Sequence, residues 1–179
     1  MEYNGTLPDL QMSNREFCGK DAPWQVTLVL DNLRSAYNVG NIFRLAEALR
    51  CDVIACGATP APPHPVLAKT AMGTDRMVPC RIAPDALEAI KLLRAEHCGR
   101  VLAVECTPGS VEAWHYRPEA MPLALVLGNE AYGIAPEVLA ACDGAISLPM
   151  FGRKSSINVG NAAAAVLYAL EAKFRRECL

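Results

Sequence analysis

The chain predicts an α/β fold: a mostly parallel sheet with helices on both of its faces. Apolar segments of strand length alternate with helical segments, as a parallel sheet with crossover helices requires. The strand segments are continuously apolar, which indicates that both faces of the sheet are covered. The chain has 179 residues, of which 52% are hydrophobic, enough for one domain with a sizeable core. We assign residues 23–179 to this domain and residues 1–22 to a flexible N-terminal extension.

The first predicted elements are a strand at 26–30 and a helix at 39–50. The strand is continuously apolar apart from one threonine. Apolar residues recur at helical spacing in the second segment, where they form one face: Val39, Ile42, Phe43, Ala46 and Leu49. Asn38 is the predicted N-cap. Arg44 falls on the opposite side of the helix, where a solvated arginine is the structural alternative to a functional one.

The remaining elements continue the alternation. The predicted strands are 51–56, 77–82, 101–104, 123–127 and 145–148; a helical turn is predicted at 69–72, and helices at 85–97, 136–141 and 156–176. The last helix has one apolar face, and a second side of small residues suits close approach by another helix, such as that of a second copy. An alanine-rich surface face chosen for helix propensity is the alternative.

Composition excludes several classes of protein. No apolar run is long enough to span a membrane, and the polar N-terminus does not match a signal peptide. The eight cysteines form no Cys-x-x-Cys pair and the three histidines lie far apart in sequence, so we expect a reduced, cytoplasmic protein without a metal site. The net charge of −2 weighs against general affinity for nucleic acid, so any RNA contact must use a local basic patch.

Two segments that follow strands, and one that leads into the last helix, suit ligand binding, because ligands bind outside the carboxyl ends of parallel strands. They are 104–109, 127–133 and 149–162, and no dinucleotide, P-loop or hydrolase fingerprint occurs. Glu105 is placed to bond ribose hydroxyls, although an exposed strand-end glutamate is favoured on residue type alone. Glu130 and the segment 149–162 also have structural alternatives: an acidic residue near a helix start, and a capped loop-to-helix connection.

Three segments together resemble a known family. Asn-Val-Gly-Asn-Ile-Phe-Arg at 38–44 resembles motif 1 (Asn-x-Gly-x-x-x-Arg) of the SpoU-type, or TrmH-like, RNA 2′-O-ribose methyltransferases. Segments 125–134 and 148–159 resemble their motifs 2 and 3. The motifs occur in the family's order, and the resemblance covers roughly residues 26–173. Gly160 departs from the serine or alanine of many relatives.

The resemblance implies a SPOUT fold with a deep C-terminal trefoil knot, a homodimer formed through the knot region and the last helix, and S-adenosylmethionine as cofactor. The residues implied to bind the cofactor are Val104, Glu105, Gly128, Leu148, Met150, Ser156, Ile157 and Asn158. Those implied in catalysis are Arg44, Asn38, Glu130, Ser156 and Asn158. Because the pKa of arginine exceeds about 12, we expect Arg44 to orient and stabilise charge, across the dimer interface, instead of acting as a base.

The implied substrate is RNA. The chain resembles the short, single-domain members of the family, many of which act on tRNA, and we expect it to lack the extra N-terminal RNA-binding domain of several rRNA-modifying relatives. Alternatives are rRNA, a non-RNA substrate, or a non-catalytic knotted RNA-binding protein. The predicted RNA patch comprises Arg34, Arg50, Lys69, Arg76, Arg153 and Lys154.

Overall fold

The computed structural model describes residues 24–118 and 121–178. The predicted N-terminal extension, residues 1–22, therefore lies outside the described residues. The strands are β1 Val26–Asp31, β2 Asp52–Cys56, β3 Cys80–Ala83, β4 Arg100–Val104, β5 Val111–Glu112, β6 Leu123–Leu127 and β7 Gly144–Ser147. The α-helices are α1 Ala36–Leu49, α2 Pro65–Ala71, α3 Ala86–Ala95, α4 Pro136–Ala141 and α5 Val159–Cys178, and a 3₁₀ turn covers Thr74–Arg76.

The seven strands form one sheet in the order β3-β2-β1-β6-β4-β7-β5. Every neighbouring pair is parallel, with Leu28 of β1, for example, opposite Val53 of β2 and Leu125 of β6. Parallel pairing brings all carboxyl ends to one edge of the sheet. The ends of β6, β4 and β7 are therefore neighbours there, although their order in the chain is β4, β6, β7.

The sheet is covered on both faces, as the apolar strands predict. Alternate residues of a strand point to opposite faces, and Leu28 and Val29 accordingly belong to different core clusters. The first cluster includes buried residues of α1, α2 and α5, and the second includes residues of α3 and α4. The predicted α/β architecture is confirmed for the described residues.

The prediction that Asn38 caps α1 is wrong. The N-cap is Ser35, whose backbone is extended and whose Oγ accepts a hydrogen bond of 3.3 Å from the Asn38 N–H. Helix α1 therefore begins at Ala36, one turn earlier than the apolar periodicity indicated. The residues of that extra turn carry no strong apolar signal, whereas serine is among the preferred N-cap residues. As a result, the Asn38 side chain is free to bond elsewhere.

Other boundaries differ for local reasons. Helix α2 begins at Pro65, four residues before the helical turn predicted at 69–72, because His64 caps it through Nδ1 and proline fits the first helical position. Strand β3 begins late because the N–H groups of Met77 and Val78 bond to the Thr74 carbonyl. The two-residue strand β5 was not predicted, since so short an edge strand leaves no periodic pattern.

Gly40 allows α1 and α2 to pack in close contact. A Cβ atom at this position would lie 2.2 Å from Oγ1 and 2.8 Å from the carbonyl carbon of Thr70. Thr70 in turn donates a 2.8 Å hydrogen bond to the carbonyl of Ala36 at the start of α1. Helix propensity alone disfavours glycine in a first turn, but here the contact between helices requires it.

None of the helices in the described part of the chain is both long and apolar enough to cross a membrane. Within residues 24–118 and 121–178, no three His, Cys, Asp or Glu side chains form a group that could hold a metal ion. Burial raises the pKa of Cys51 and Cys56 to about 12, so these thiols stay protonated and behave as small core residues.

Candidate active site

The carboxyl ends of β4, β6 and β7 open into one cavity of about 710 Å³. Its walls are completed by the loop 128–134, the segment 148–158 and the first turns of α5. Val104, Leu127 and Ser147, the last residues of the three strands, all line it. The cavity thus lies at the sheet edge where parallel α/β folds bind ligands.

Residues from all three motif segments line this cavity. Each of the eight residues predicted for cofactor binding does so: Val104, Glu105, Gly128, Leu148, Met150, Ser156, Ile157 and Asn158. Asn38 and Glu130 line it as well, and Arg44 does not. Sequence reasoning missed Ile134 and Ile146, whose buried apolar side chains resemble ordinary core residues. It also missed Tyr132, whose position inside motif 2 was the available signal.

Gly128 sets the shape of the loop 128–134. Asn129 and Gly133 form an antiparallel bridge with backbone hydrogen bonds of 3.1 and 2.9 Å. This bridge folds over Gly128 so closely that a Cβ there would lie 2.5 Å from Cγ1 of Ile134 and 2.6 Å from the carbonyl carbon of Gly133. Any side chain at Gly128 would push the loop outward and reshape the cavity.

Glu105 holds the same loop from the opposite wall. Its Oε2 accepts a 3.3 Å hydrogen bond from the Ile134 N–H, and its Oε1 accepts a 3.1 Å bond from the Cys106 N–H. The side chain is half-buried, so the exposed strand-end glutamate favoured by residue type is wrong. With each oxygen bonded to a backbone N–H, the carboxylate has lone pairs left for a ligand.

A chain of hydrogen bonds links the three motifs. Oε1 of Glu130 accepts from Nδ2 of Asn38 at 2.9 Å, and Oδ1 of Asn38 accepts from Nδ2 of Asn158 at 2.9 Å. Oδ1 of Asn158 accepts from the N–H groups of Gly160 and Asn161 at 2.9 and 3.3 Å, which makes Asn158 the cap of α5. Motif 2 is thereby connected through motif 1 to the helix start in motif 3.

Glu130 stays ionised at neutral pH. Partial burial by itself would raise its pKa, but hydrogen bonds from the Arg34 N–H at 3.0 Å, the Asn38 amide and the Ser35 N–H at 3.1 Å lower the pKa below its usual value. A carboxylate with a lowered pKa is a weak proton acceptor. Its geometry fits a positioning residue that holds Asn38 and the loop before α1.

Arg44 lies apart from the cavity. It is exposed on α1, as its helical phase predicts. It lines a second, open groove of about 510 Å³ together with Met72 of the α2 C-cap and Tyr168 of α5. In a single chain, therefore, the structure does not bring Arg44 to Asn38, Glu130, Ser156 and Asn158.

The six predicted RNA-binding cations are all exposed but do not form one patch in a single chain. Arg153 and Lys154 lie in the segment that lines the cavity, and Arg34 precedes α1 beside Glu130. Arg50 and Arg76 precede β2 and β3, so they lie at the amino edge of the sheet, opposite the cavity. Lys69 lies on α2 between the two edges.

Comparison with known proteins gives a consistent result. The sequence model of the SpoU rRNA methylase family matches residues 25–168. A tRNA (guanosine(18)-2′-O)-methyltransferase of Thermus thermophilus is 32% identical over 145 residues, covering 80% of this chain and 72% of that protein.

Two solved structures share the fold. An AdoMet-bound rRNA methyltransferase from Sinorhizobium meliloti aligns with a TM-score of 0.76 and 27% identity over 87% of this chain and 57% of that one. A protein studied for the 2-OH methylation of C/U34 on tRNA aligns with a TM-score of 0.75 over 86% of this chain and 99% of that one, at 22% identity.

The family match spans the motifs from which the family was predicted. Segments 38–44, 125–134 and 148–159 all fall inside residues 25–168, and the same segments meet at the cavity. The prediction of the family is therefore confirmed: the chain belongs to the SpoU rRNA methylase family.

Proposed function

We propose that this protein transfers the methyl group of S-adenosylmethionine to a ribose 2′-hydroxyl of tRNA. The carrying observation is that three family motifs, distant in sequence, meet at one cavity and are joined by the Glu130–Asn38–Asn158 hydrogen bonds. Membership of the family supports the reaction class. The AdoMet-bound structure from Sinorhizobium meliloti supports the cofactor.

The cavity suits S-adenosylmethionine in size and lining. Its volume of about 710 Å³ lies within the range of roughly 300–1,000 Å³ that small-molecule sites occupy. Apolar side chains such as Leu148 and Ile157 offer contact surface for a base, and Glu105 offers a carboxylate for ribose hydroxyls. We assign cofactor binding to the eight predicted residues. When bound, the cofactor supplies a methyl group activated by its sulfonium.

The protein's own part in the reaction is placement and electrostatics. Asn158 and Ser156 lie where the segment 148–158 meets α5. The hydrogen bond that Nδ2 of Asn158 donates to Oδ1 of Asn38 fixes the amide of Asn158. Holding a ribose hydroxyl in line with a transferable methyl group accounts for a large share of such catalysis. We assign Arg44 to stabilising negative charge on the hydroxyl oxygen or on a neighbouring phosphate.

This role for Arg44 requires a second protomer. Arg44 lines the groove beside Tyr168 and not the cavity of its own chain. The side of α5 that carries Tyr168, with Ala164 and Ala172, is not fully covered within one chain. We therefore place a symmetric homodimer interface on α1 and α5, so that Arg44 of one protomer reaches the cavity of its partner. We also place the family's trefoil knot at the segment 148–158.

Two observations bear on the choice of RNA. The structure studied for tRNA methylation is covered over 99% of its length, and the Thermus thermophilus relative is named for a tRNA nucleotide; both favour tRNA, which the protein would meet in the cytoplasm. The rRNA methyltransferase from Sinorhizobium meliloti, of which 57% is covered, makes rRNA the second candidate.

The deciding experiment uses two parallel reactions, each with the protein and labelled S-adenosylmethionine. One reaction contains total small RNA from the source cell, and the other contains its ribosomal RNA. Label in the small RNA, mapped to a single ribose 2′-O-methyl site and lost with Arg44→Ala, supports the proposal. Label only in ribosomal RNA moves the substrate to rRNA. Cofactor binding by calorimetry without label in either RNA points to a non-RNA substrate. Failure to bind the cofactor points to a non-catalytic RNA-binding protein.

A further inference from the structure

The two most exposed large hydrophobic side chains in the described part of the chain both flank the cavity. Phe151 is 97% exposed and Tyr132 is 84% exposed. Tyr132 lines the cavity from the loop 128–134, and Phe151 follows Met150, which lines it from the segment 148–158. Two aromatic rings on separate loops thus stand in solvent at the rim of the same site.

An exposed aromatic ring gives up the stabilisation that burial would provide, so two such rings at the rim of a cavity indicate a surface that a ligand covers. Burying a phenylalanine side chain stabilises a protein, and Phe151, which is exposed, contributes none of this stabilisation in a single chain. At its neighbour Gly152, a Cβ atom would meet no other atom within 4 Å, so the space around the next residue is open as well. Arg153 and Lys154 are exposed immediately after it.

We propose that Phe151 and Tyr132 stack on unpaired RNA bases next to the nucleotide being methylated, while Arg153 and Lys154 contact the adjoining phosphates. Aromatic rings combined with cations are the usual surface for single-stranded RNA. Because every base has a π-face, such stacking selects for unpaired structure more than for sequence. The inference rests on the proposed function and narrows its substrate to a loop or another single-stranded segment.

RNA fits this rim better than a second copy of the chain does. The cores of protein interfaces are depleted in charged residues, whereas the segment 151–158 carries two exposed cations within three residues of Phe151. The side of α5 assigned to the dimer carries alanines and a tyrosine instead. If Phe151 instead contacted a second copy, its truncation would change the oligomeric mass and leave RNA affinity unchanged.

The test measures binding without requiring catalysis. A short, fluorescein-labelled single-stranded RNA of mixed sequence, and the same strand annealed to its complement, are titrated with the full chain and followed by fluorescence anisotropy. Phe151→Ala and Tyr132→Ala are each expected to weaken single-strand binding on the order of 5- to 100-fold, and Phe151→Trp to retain it. Ile82→Ala is the matched control, since Ile82 is 71% exposed on the edge strand β3.

Separate readouts distinguish this inference from the proposed function. Calorimetry with S-adenosylmethionine should give the same affinity for Phe151→Ala as for the wild type, because the ring stands outside the cavity. Unchanged single-strand affinity in both alanine variants would overturn the stacking role even if methyl transfer were intact. A fall in mass by light scattering, with RNA affinity unchanged, would assign Phe151 to the dimer interface instead. Stacking losses in a protein that transfers no methyl group would uphold the role of the two rings in binding single-stranded RNA and refute the proposed methyl transfer.

Discussion

At the scale of single residues, the charge of Glu130 fixes the direction of the hydrogen-bond chain. An ionised carboxylate can only accept, so Asn38 must present its amide nitrogen to Glu130 and its oxygen to Asn158. Asn158 must then present its nitrogen to Asn38, which leaves its oxygen for the N–H groups that begin α5. One charged group thus orients two amides whose atoms are otherwise interchangeable in shape.

Replacing Glu130 by glutamine should therefore disturb the site more than it disturbs the fold. Glutamine keeps the shape but replaces one of the two acceptor oxygens by an NH2 donor. That donor would face either the Arg34 N–H or the pair formed by the Ser35 N–H and the Asn38 amide nitrogen. Because the side chain is partly exposed, we expect a loss of only about 0.5–1 kcal/mol in the free energy of unfolding. Turnover should fall on the order of 10- to 100-fold, because the Asn158 amide is no longer held in one orientation.

Urea unfolding and labelled methyl transfer measure the two effects, and Glu137→Gln on the exposed start of α4 is the control. Wild-type turnover in Glu130→Gln would show that the amide orientation does not depend on the carboxylate.

The lowered pKa of Glu130 also predicts a pH dependence of stability. A carboxyl group whose folded pKa lies below its unfolded value stabilises the fold above the unfolded pKa, and this contribution is lost as the pH falls through the folded pKa. The stability gap between the wild type and Glu130→Gln should thus be constant near neutrality, shrink below about pH 4.3 and vanish in more acid solution.

Urea unfolding over a pH series checks this. Asp143, whose pKa is also lowered despite partial burial, chiefly by its bond with Arg94, contributes equally to both proteins and cancels in the difference. A gap that widens in acid would mean that burial outweighs the hydrogen bonds to Glu130.

At the scale of elements, the contact of α1 with α2 positions the first motif. Gly40 lies against Thr70, and the Thr70 hydroxyl bonds to the carbonyl of Ala36. The start of α1 is thereby fixed relative to α2, and Asn38, in the same turn, lies at the cavity. Gly40 is thus needed for helix packing, and this packing holds Asn38 in position.

Gly40→Ala should destabilise the protein although alanine is the better helix former. The added Cβ would meet both the side chain and the backbone of Thr70 at under 3 Å, and such overpacking costs roughly 1–3 kcal/mol. Since the backbone carbon cannot move without shifting α2, Thr70→Ala should rescue only part of the loss. The melting temperature of Gly40→Ala is compared with that of Gly152→Ala, where the new Cβ meets nothing within 4 Å. The comparison separates the effect of the clash from the effect of replacing any glycine by alanine. Equal melting temperatures for the two variants would contradict the packing role.

Elements were predictable where one signal dominated. The apolar runs of β1, β2, β4 and β6 placed those strands within a few residues, and the alternation of strands with helices placed α3 equally well. Helix caps were less predictable, because Ser35 and Asn38 are both suitable N-cap residues. Ser35 is the cap, and the Asn38 side chain instead bonds to Glu130, 92 positions away in the chain, a contact that local sequence does not reveal. The role of Gly40 likewise depends on Thr70, a contact that no local pattern contains.

At the scale of the whole molecule, strand order decides which residues meet. The ends of β4, β6 and β7 are neighbours because the chain crosses over from β4 to β6 and returns to pair β7 on the other side of β4. Local sequence signals do not encode this order. The strand ends marked 104–109, 127–133 and 149–162 as candidate ligand segments, and the assignment of one cofactor site to them came from the family resemblance. The arrangement of the whole chain also places Arg44 in a different groove from the cavity. This separation is the reason for proposing a homodimer.

The homodimer proposal makes a quantitative prediction for mixed protomers. Arg44→Ala and Asn158→Ala should each be inactive alone, since one lacks the arginine and the other lacks a complete cavity. If Arg44 acts across the interface, a heterodimer of the two has one intact site, made by the cavity of the Arg44→Ala chain and the arginine of the Asn158→Ala chain. Random assortment of co-expressed, differently tagged chains should then restore about a quarter of wild-type turnover, because half of the dimers are mixed and each mixed dimer holds one good site of two. Arg44 acting within its own chain leaves every site of the mixture defective, so turnover at the level of the single variants would refute the interface while leaving the cavity assignment intact.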